Sequence, residues 1–214
     1  MRIHYKKASI NISEHVYEPS EDSFLLADAA LSNIKGSEHI LEAGCGCGII
    51  SSVINANTKA RVKGIDINPH AVKCTKENGV EAIRGDLLSC IKGRFDLIIF
   101  NPPYLPTEDR ERQKGWLNAA LDGGSDGREV IFRFLKDAQR CLADGGKILL
   151  LISSLSGVDE IKSNMMDLGY FVEEERHAKY MYEQLKVLIA SKNLNIDLSE
   201  SIYISSVTPD IPDH

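Results

Sequence analysis

The sequence has no long apolar run, and this absence excludes a class of proteins at the outset. No stretch in the 214 residues approaches the ~20 consecutive apolar residues that a membrane-spanning helix requires. The N-terminus also lacks the apolar segment of a secretory signal peptide, and neither internal repeats nor low-complexity linkers occur. The sequence therefore predicts one soluble, cytoplasmic domain that does not associate with a membrane.

Regular spacing of metal ligands is missing as well. The five cysteines are irregularly spaced without a CxxC pair, and the six histidines form no HxH or HExxH motif. Cys45 and Cys47 lie between glycines with no second pair of ligands, so small loop residues are a better interpretation than a zinc site. We predict no metal and a reducing compartment.

Positive charge is in short supply. Lys and Arg together number 25 against 31 Asp and Glu, which gives a formal net charge of −6. A protein that mainly grips phosphate backbones needs a basic face, so this balance argues against nucleic-acid binding as the main role. A single basic patch is still compatible with this acidic total.

What the sequence does contain, from residue 38 onward, is an alternation of short apolar runs and helical patterns. The apolar runs cover residues 39–44, 60–67, 80–86, 95–100 and 147–153, and the helical patterns cover 48–57, 68–79 and 128–146. Such alternation predicts right-handed βαβ units and a parallel sheet with helices on both faces. Asn68-Pro69 is typical of a helix start, and Gly145-Gly146 is expected to stop the last helix.

The C-terminal part follows a different pattern. Residues 169–178 and 183–191 are strand-like and too close together for a crossover helix, so they predict an antiparallel hairpin at the edge of the sheet. The expected fold is α/β: one Rossmann-like domain with a seven-stranded, mostly parallel sheet. Residues 192–214 are polar and predict a poorly ordered tail.

The first strand is followed by a glycine-rich turn. Glu42 directly precedes a GxGxG pattern formed by Gly44, Gly46 and Gly48, and a helix follows. Glycines let a backbone approach a ligand closely, and the N–H groups of the next helix point toward such a ligand. A tight strand–helix turn without a ligand is the alternative, because this spacing differs from the dinucleotide GxGxxG pattern.

Single acids end the next two strands. Asp66 is placed to accept both hydroxyls of a ribose, and Asp86 is placed to accept from an adenine amino group. Each acid alone is equally well explained as a cap of the following helix or turn. Together with the glycine turn they predict an adenosine-containing cofactor, either NAD or S-adenosylmethionine.

The fourth strand end decides between these cofactors. The apolar run 95–100 stops at Asn101, and Pro102, Pro103 and Tyr104 follow. This rigid corner presents the side-chain carbonyl of Asn101 and the main-chain carbonyl of Pro102, two acceptors for the two N–H donors of a planar –NH2 group. Tyr104 offers a flat face for stacking. Such a corner would hold an amine or amide with the lone pair of its nitrogen facing a methyl donor. This arrangement indicates methyl transfer from S-adenosylmethionine, and orientation would account for much of the rate gain.

These features and two flanking segments resemble a known family. The segments "VYEPSEDSFLLADAA" (16–30) and "AALDGGSDGREVIFRFL" (119–135), with the glycine turn and NPPY, look like the HemK2/Mtq2 type of release-factor glutamine methyltransferase, over residues 16–191. The resemblance implies a class I methyltransferase domain over 36–191, behind an extension over 1–35 with a cofactor-covering helix.

The resemblance also implies roles for residues. The cofactor would be S-adenosyl-L-methionine, bound by Ser23, Glu42, Gly44, Gly46, Gly48, Asp66, Ile67, Asp86, Leu87 and Asn101. The catalytic residues would be Asn101, Pro102 and Tyr104, and the substrate amide pocket would be formed by Asn101, Pro102, Pro103 and Tyr104.

The family further implies a partner. Its catalytic subunits pair with a small zinc-binding activator of the Trm112 type. The third strand, residues 79–84, is expected at the end of the sheet, where unpaired backbone groups allow a partner strand to add. This edge is the docking surface that we expect.

The sequence is compatible with three functions. The first is methylation of the glutamine amide in the Gly-Gly-Gln loop of a class I release factor. The second is methylation of an exocyclic amine of adenine or guanine in nucleic acid, for which Arg110, Arg112 and Lys114 are candidate contacts. The third is a non-catalytic nucleoside-binding adaptor, against which an intact NPPY corner argues.

Overall fold

The computed structural model describes residues 1–105, 115–120, 122–180 and 182–192. The strands are β1 Arg2–Tyr5, β2 Ala8–Asn11, β3 His39–Ala43, β4 Arg61–Asp66, β5 Glu81–Arg84, β6 Phe95–Phe100, β7 Leu142–Ser153, β8 Tyr170–Lys179 and β9 Gln184–Lys192. The helices are α1 Glu21–Asn33, α2 Ile49–Asn57, α3 Pro69–Glu77, α4 Trp116–Ala119, α5 Glu129–Cys141 and α6 Val158–Asp167. The predicted tail from residue 193 onward, and the basic residues Arg110, Arg112 and Lys114, lie outside the described residues.

The central sheet has seven strands in the order β5-β4-β3-β6-β7-β9-β8. The pairs from β5 through β7 are parallel, and β9 pairs antiparallel with both β7 and β8. This confirms the predicted mostly parallel sheet and C-terminal hairpin. It also confirms that the strand predicted over residues 79–84, here β5, lies at one edge of the sheet. Strands β4 and β5 are added on one side of β3, and β6 and β7 on the other, so the order of the strands reverses between β3 and β6. Ligands of open α/β sheets bind at such a switch point, beyond the carboxyl ends of the strands.

Helices cover both faces of this sheet. Alternate residues of the central strands contribute to two separate cores: Ile40 and Ile99 face the core beneath α1 and α2, whereas Leu41 and Ile98 face the core beneath α5 and α6. All four side chains are at most 1% exposed. Strands that are buried on both sides read as continuous apolar runs, which explains the unbroken "FDLIIF" and "KILLLIS" patterns.

The predicted Gly-Gly stop of the last long helix is wrong by several residues. α5 ends at Cys141, and β7 already begins at Leu142, which pairs with Phe95. The glycines instead lie in the irregular start of β7, where a Cβ on Gly146 would approach the Phe95 carbonyl oxygen to 2.8 Å. Leu142 is fully buried in the sheet, and its apolar character fits a helical stripe as well as a buried strand.

The N-terminal region contains a hairpin that the sequence pattern did not indicate. β1 and β2 form a separate two-stranded antiparallel sheet, which packs against α2. Asn78, after α3, ties it to the domain by accepting from the Asn11 N–H at 2.9 Å and donating to the Asn11 carbonyl. The described helices include none that is long and apolar enough to cross a membrane.

Candidate active site

A cavity of about 390 Å³ opens beyond the carboxyl ends of the parallel strands. Nearly all residues predicted for the site line it: Ser23, Glu42, Gly44, Gly46, Asp66, Ile67, Asp86, Leu87, Asn101, Pro102, Pro103 and Tyr104. Segments separated by up to about eighty residues therefore meet at one place, as the switch-point rule requires. Gly48 is the exception, because it does not line the cavity.

The glycine turn serves two different purposes. At Gly46, φ is +55° and an added Cβ would meet no atom within 4 Å, so this glycine provides the left-handed conformation beside an open cavity. At Gly48, a Cβ would approach the Thr75 side chain of α3 to 2.9 Å. Gly48 is thus explained by the packing of α3 against the turn rather than by approach of a ligand.

Glu42 is a buried acid at the base of the cavity. Its side chain is 2% exposed and accepts hydrogen bonds from the backbone N–H of Ser51, at 3.0 Å, and from the Ser51 hydroxyl. Burial raises the pKa of Glu42 to about 8, although the two hydrogen bonds from Ser51 act in the opposite direction. The first turn of α2 therefore holds this carboxyl group in place.

Asp66 organises the loops around the cavity. Its Oδ2 accepts from the Gly46 N–H at 2.9 Å, and its Oδ1 accepts from the Asn68 N–H at 2.8 Å. Burial raises the pKa of Asp66, while these N–H donors counteract the shift. The side chain of Asn68 accepts from the His70 N–H, which confirms the predicted helix start at Asn68-Pro69.

The geometry of these acids fits one of the two candidate cofactors better. Glu42 is buried and Asp66 is half-buried, and burial raises the pKa values of both. Among the described residues that line the cavity, the one cation is Arg133, beside Asp86. A ligand that brings an ammonium group and a sulfonium close to Glu42 and Asp66 would favour their ionised forms. The pyrophosphate of NAD would add negative charge beside Glu42, so S-adenosyl-L-methionine fits this donor set.

The N-terminal segment closes one side of the cavity. Val16, Tyr17 and Pro19 line it from the chain that precedes α1, and Asp22 and Ser23 line it from the first turn of α1. The segment is tied down by the Asn68 side chain, which donates to the His15 carbonyl at 2.9 Å. The first turn of α1 thereby comes against the NPPY corner.

Asp22 fixes the orientation of the Asn101 amide. Asp22 is 5% exposed, and its Oδ2 accepts from Asn101 Nδ2 at 3.0 Å and from the Tyr17 hydroxyl at 3.3 Å. An ionised carboxylate only accepts, so the NH2 side of the Asn101 amide must face it. Asn101 Oδ1 is consequently turned away, and among the described residues it is a buried oxygen without a hydrogen-bond partner. Such an atom is costly unless a ligand supplies a donor.

Two further contacts hold the rest of the corner. The hydroxyl of Ser156, which is 1% exposed, donates to the Tyr104 carbonyl at 2.9 Å. The Gly123 N–H donates to the Leu105 carbonyl at 3.1 Å, and a Cβ on Gly123 would lie 3.0 Å from the Pro103 carbonyl oxygen. Gly123 therefore lies directly against the backbone of the corner, where a side chain would not fit.

Sequence reasoning missed Asp22 and Ser156. Asp22 directly precedes Ser23, which the family resemblance implies as a cofactor contact, but the partner of Asp22, Asn101, is 79 positions away. An acid in a first helical turn is ordinarily explained by the helix dipole, so no local signal distinguishes it.

We expect Asp22→Asn to lower the turnover number for methyl transfer by about 10- to 100-fold, because a new amide at this position lets the Asn101 amide rotate. The dissociation constant for S-adenosyl-L-homocysteine should change less than about threefold. Tyr17→Phe is the matched control. It removes the other donor to the same Asp22 oxygen but leaves the carboxylate that orients Asn101, so the turnover number should change little. Wild-type turnover in Asp22→Asn would show that the contact does not position Asn101.

Comparison with known proteins identifies the family. Residues 22–117 match the methyltransferase small domain. A protein of Methanocaldococcus jannaschii, described as a candidate protein N5-glutamine methyltransferase, is 39% identical over 196 residues, which cover 89% of this chain and 98% of that protein. The methyltransferase HEMK2 of Mus musculus is 37% identical over 169 residues, which cover 72% of this chain and 79% of that protein.

A solved structure agrees with these matches. A chain of the E. cuniculi Mtq2–Trm112 complex, which is described as responsible for methylation of the translation termination factor eRF1, superposes with a TM-score of 0.69. It is 27% identical and covers 83% of this chain and 99% of its own. The chain belongs to the HemK2/Mtq2 type of glutamine methyltransferases within the methyltransferase small-domain family.

Proposed function

We propose that this enzyme transfers a methyl group from S-adenosyl-L-methionine to the side-chain amide nitrogen of the glutamine in the Gly-Gly-Gln loop of a class I release factor. The observation that carries the proposal is the unpartnered, buried Oδ1 of Asn101, held in place by Asp22. The relationship to proteins named for glutamine methylation supports the same substrate. A release factor as substrate implies action in the cytoplasm.

The corner residues would act by orientation. The bound cofactor supplies an electrophilic methyl group on its sulfonium. Asn101 Oδ1 and the Pro102 carbonyl accept the two N–H groups of the substrate amide, so that its nitrogen lone pair points toward the cofactor subsite. Tyr104 stacks on the planar amide. The two prolines limit the motion of both acceptors, and orientation of this kind contributes several kcal/mol, on the order of 7–11 in the best cases.

The tyrosines near the corner would not serve as bases. Burial raises the pKa of Tyr104 and of Tyr17 well above its usual value, and the neighbouring Asp22 carboxylate adds to both shifts. Both phenols therefore stay protonated at neutral pH. The new N–CH3 bond would form as the S–CH3 bond of the cofactor breaks, and S-adenosyl-L-homocysteine would be the leaving thioether. The amide needs no prior deprotonation, because its proton would pass to water after the nitrogen has accepted the methyl group.

The assignments of the cofactor residues belong to this proposal. Glu42, Ser23, Gly44 and Gly46 would hold the amino-acid end, and Asp66 would hold the ribose. Asp86, Leu87 and Ile67 would hold the adenine. The extension over 1–35 would cover the bound cofactor, and residues 36–191 would form the methyltransferase domain. The exposed backbone edge of β5 has no part in this chemistry.

The proposal is tested by offering isotopically labelled S-adenosyl-L-methionine with a class I release factor, tRNA and duplex DNA in parallel, with and without a Trm112-type protein. Label is expected on the release factor, at the glutamine of its Gly-Gly-Gln loop. Label on tRNA or DNA alone would support the exocyclic-amine alternative. Cofactor binding without transfer to any of them would support the adaptor alternative.

A Trm112-type activator is the partner that we propose for the β5 edge. Within the described residues β5 pairs only with β4, and Ile83 of β5 is 43% exposed. A partner strand would satisfy the backbone groups of this edge and cover the Ile83 side chain.

Ile83→Asp is expected to abolish co-purification of the activator and to leave S-adenosyl-L-homocysteine affinity of the isolated chain within about threefold, because it places a charge in an apolar contact. Phe171→Asp is the matched control, since Phe171 is 57% exposed on β8 at the opposite edge of the sheet. Loss of the complex with Phe171→Asp and not with Ile83→Asp would move the interface to the other edge.

A further inference from the structure

One charged contact at the cavity wall lies apart from the glycine turn and the NPPY corner. Arg133 of α5 lines the cavity, and its Nη2 lies 2.5 Å from Oδ2 of Asp86, at the end of β5. The side chains are 53% and 47% exposed. An exposed ion pair of this kind contributes little to folding stability, typically about 0–1 kcal/mol, so stability alone is a poor reason for its place at the cavity.

A second arginine of the same helix holds the same loop. Arg140 donates from Nη2 to the Leu88 carbonyl at 2.6 Å and from Nη1 to the Ile91 carbonyl at 2.5 Å. Arg133 and Arg140 are seven positions apart, about two helical turns, so they lie on one face of α5. The loop that follows β5 is therefore fastened to α5 at both ends.

The loop itself has a backbone that needs such support. Leu87 has φ of +47°, a left-handed conformation that is uncommon for a residue with a branched side chain. Strained residues of this kind persist where surrounding contacts determine them. Asp86 and Leu87 are the residues that the proposed function places against the adenine.

We propose that Arg133 is a positioning residue for the adenine ring of the cofactor. It holds Oδ2 of Asp86, so that Oδ1 remains as the acceptor for the adenine 6-amino group. The inference rests on the proposed function only in taking this end of the cavity as the adenine subsite. It assigns to Arg133 a part in selecting a 6-amino over a 6-oxo purine. A 6-oxo group is an acceptor that would face the acceptor Oδ1 of Asp86, and the N1–H donor of a 6-oxo purine lies one ring position away from the place of the 6-amino group.

The test measures dissociation constants of S-adenosyl-L-homocysteine and its hypoxanthine counterpart, S-inosyl-L-homocysteine, by calorimetry. Wild-type protein is expected to prefer the adenine ligand. Arg133→Met should weaken the adenine ligand about fivefold and reduce the preference by a similar factor, as expected for loss of one charged contact. Arg133→Lys should restore part of the preference.

Two controls separate positioning from folding. Lys136→Met removes an exposed cation from the same helix, one turn away and outside the cavity, and should leave both dissociation constants unchanged. In a double-mutant cycle Arg133→Met should have no further effect once Asp86 is replaced by Asn, because both changes remove one interaction. A melting temperature close to that of the wild type is expected for Arg133→Met.

Each outcome has one interpretation. Wild-type affinity and preference in Arg133→Met, or independent effects of the two substitutions in the cycle, would overturn the assignment of Arg133. Failure of the wild-type protein to bind S-adenosyl-L-homocysteine would instead overturn the proposed function. The two failures are therefore distinguished by the wild-type titration.

Discussion

Replacing Asn101 with Ala is expected to reduce the turnover number for methyl transfer by about three orders of magnitude, on the scale of losing one preorganised hydrogen bond and the orientation that it enforces. The dissociation constant for S-adenosyl-L-homocysteine should stay within about threefold of wild type. Asn101 Oδ1 is buried and unpartnered in the described structure, so its removal costs no existing hydrogen bond through that atom. Single-turnover kinetics with labelled cofactor and a titration of the cofactor product measure the two effects separately.

The chain offers a matched control for this substitution. Asn164 of α6 also has a buried Oδ1 without a partner among the described residues, but it does not line the cavity. Asn164→Ala should leave turnover and affinity unchanged. Equal losses of turnover and cofactor affinity in Asn101→Ala would mean that Asn101 has a structural role.

Asp66→Ala should have the opposite profile. We expect cofactor affinity to fall about 10- to 100-fold, because the carboxylate holds the N–H groups of Gly46 and Asn68 and is the proposed ribose acceptor. Turnover at saturating cofactor should fall far less, since the NPPY corner is untouched. Calorimetric titration with S-adenosyl-L-homocysteine and initial rates over a range of cofactor concentrations measure this profile.

Asp96→Ala is the comparison for that substitution. Asp96 Oδ2 accepts from the His39 N–H at 2.8 Å, so this acid also fastens backbone in the sheet, but outside the cavity. It should not change cofactor affinity. If Asp66→Ala bound the cofactor as tightly as wild type, Asp66 would be only a support for the loops.

Local chemistry explains why much of this fold was predictable. The unbroken apolar runs of β6 and β7 are typical of strands with both faces covered, and Asn68-Pro69 starts α3 through a contact two residues away. The short gap between β8 and β9 excludes a crossover, so the hairpin follows from chain length alone. The residues that line the cavity could be grouped from the sequence because glycines, acids and a prolyl corner follow consecutive strands, whose ends meet at one edge.

Interactions between distant residues explain what was missed. The orientation of the Asn101 amide depends on Asp22, 79 positions away, and no pattern in either segment indicates the pair. Gly48 was assigned to a ligand, although the side chain that needs its space is Thr75 of α3. The end of α5 was misplaced because Leu142 has the same apolar character in a helical stripe and in a buried strand.

The most direct test of the central claim is a crystal structure with S-adenosyl-L-homocysteine and a peptide that contains the Gly-Gly-Gln sequence. We predict that the glutamine amide nitrogen donates to Asn101 Oδ1 and to the Pro102 carbonyl, with its free face toward the sulfur of the cofactor product. A glutamine side chain bound away from Asn101, or a cofactor product bound outside the cavity, would contradict the account.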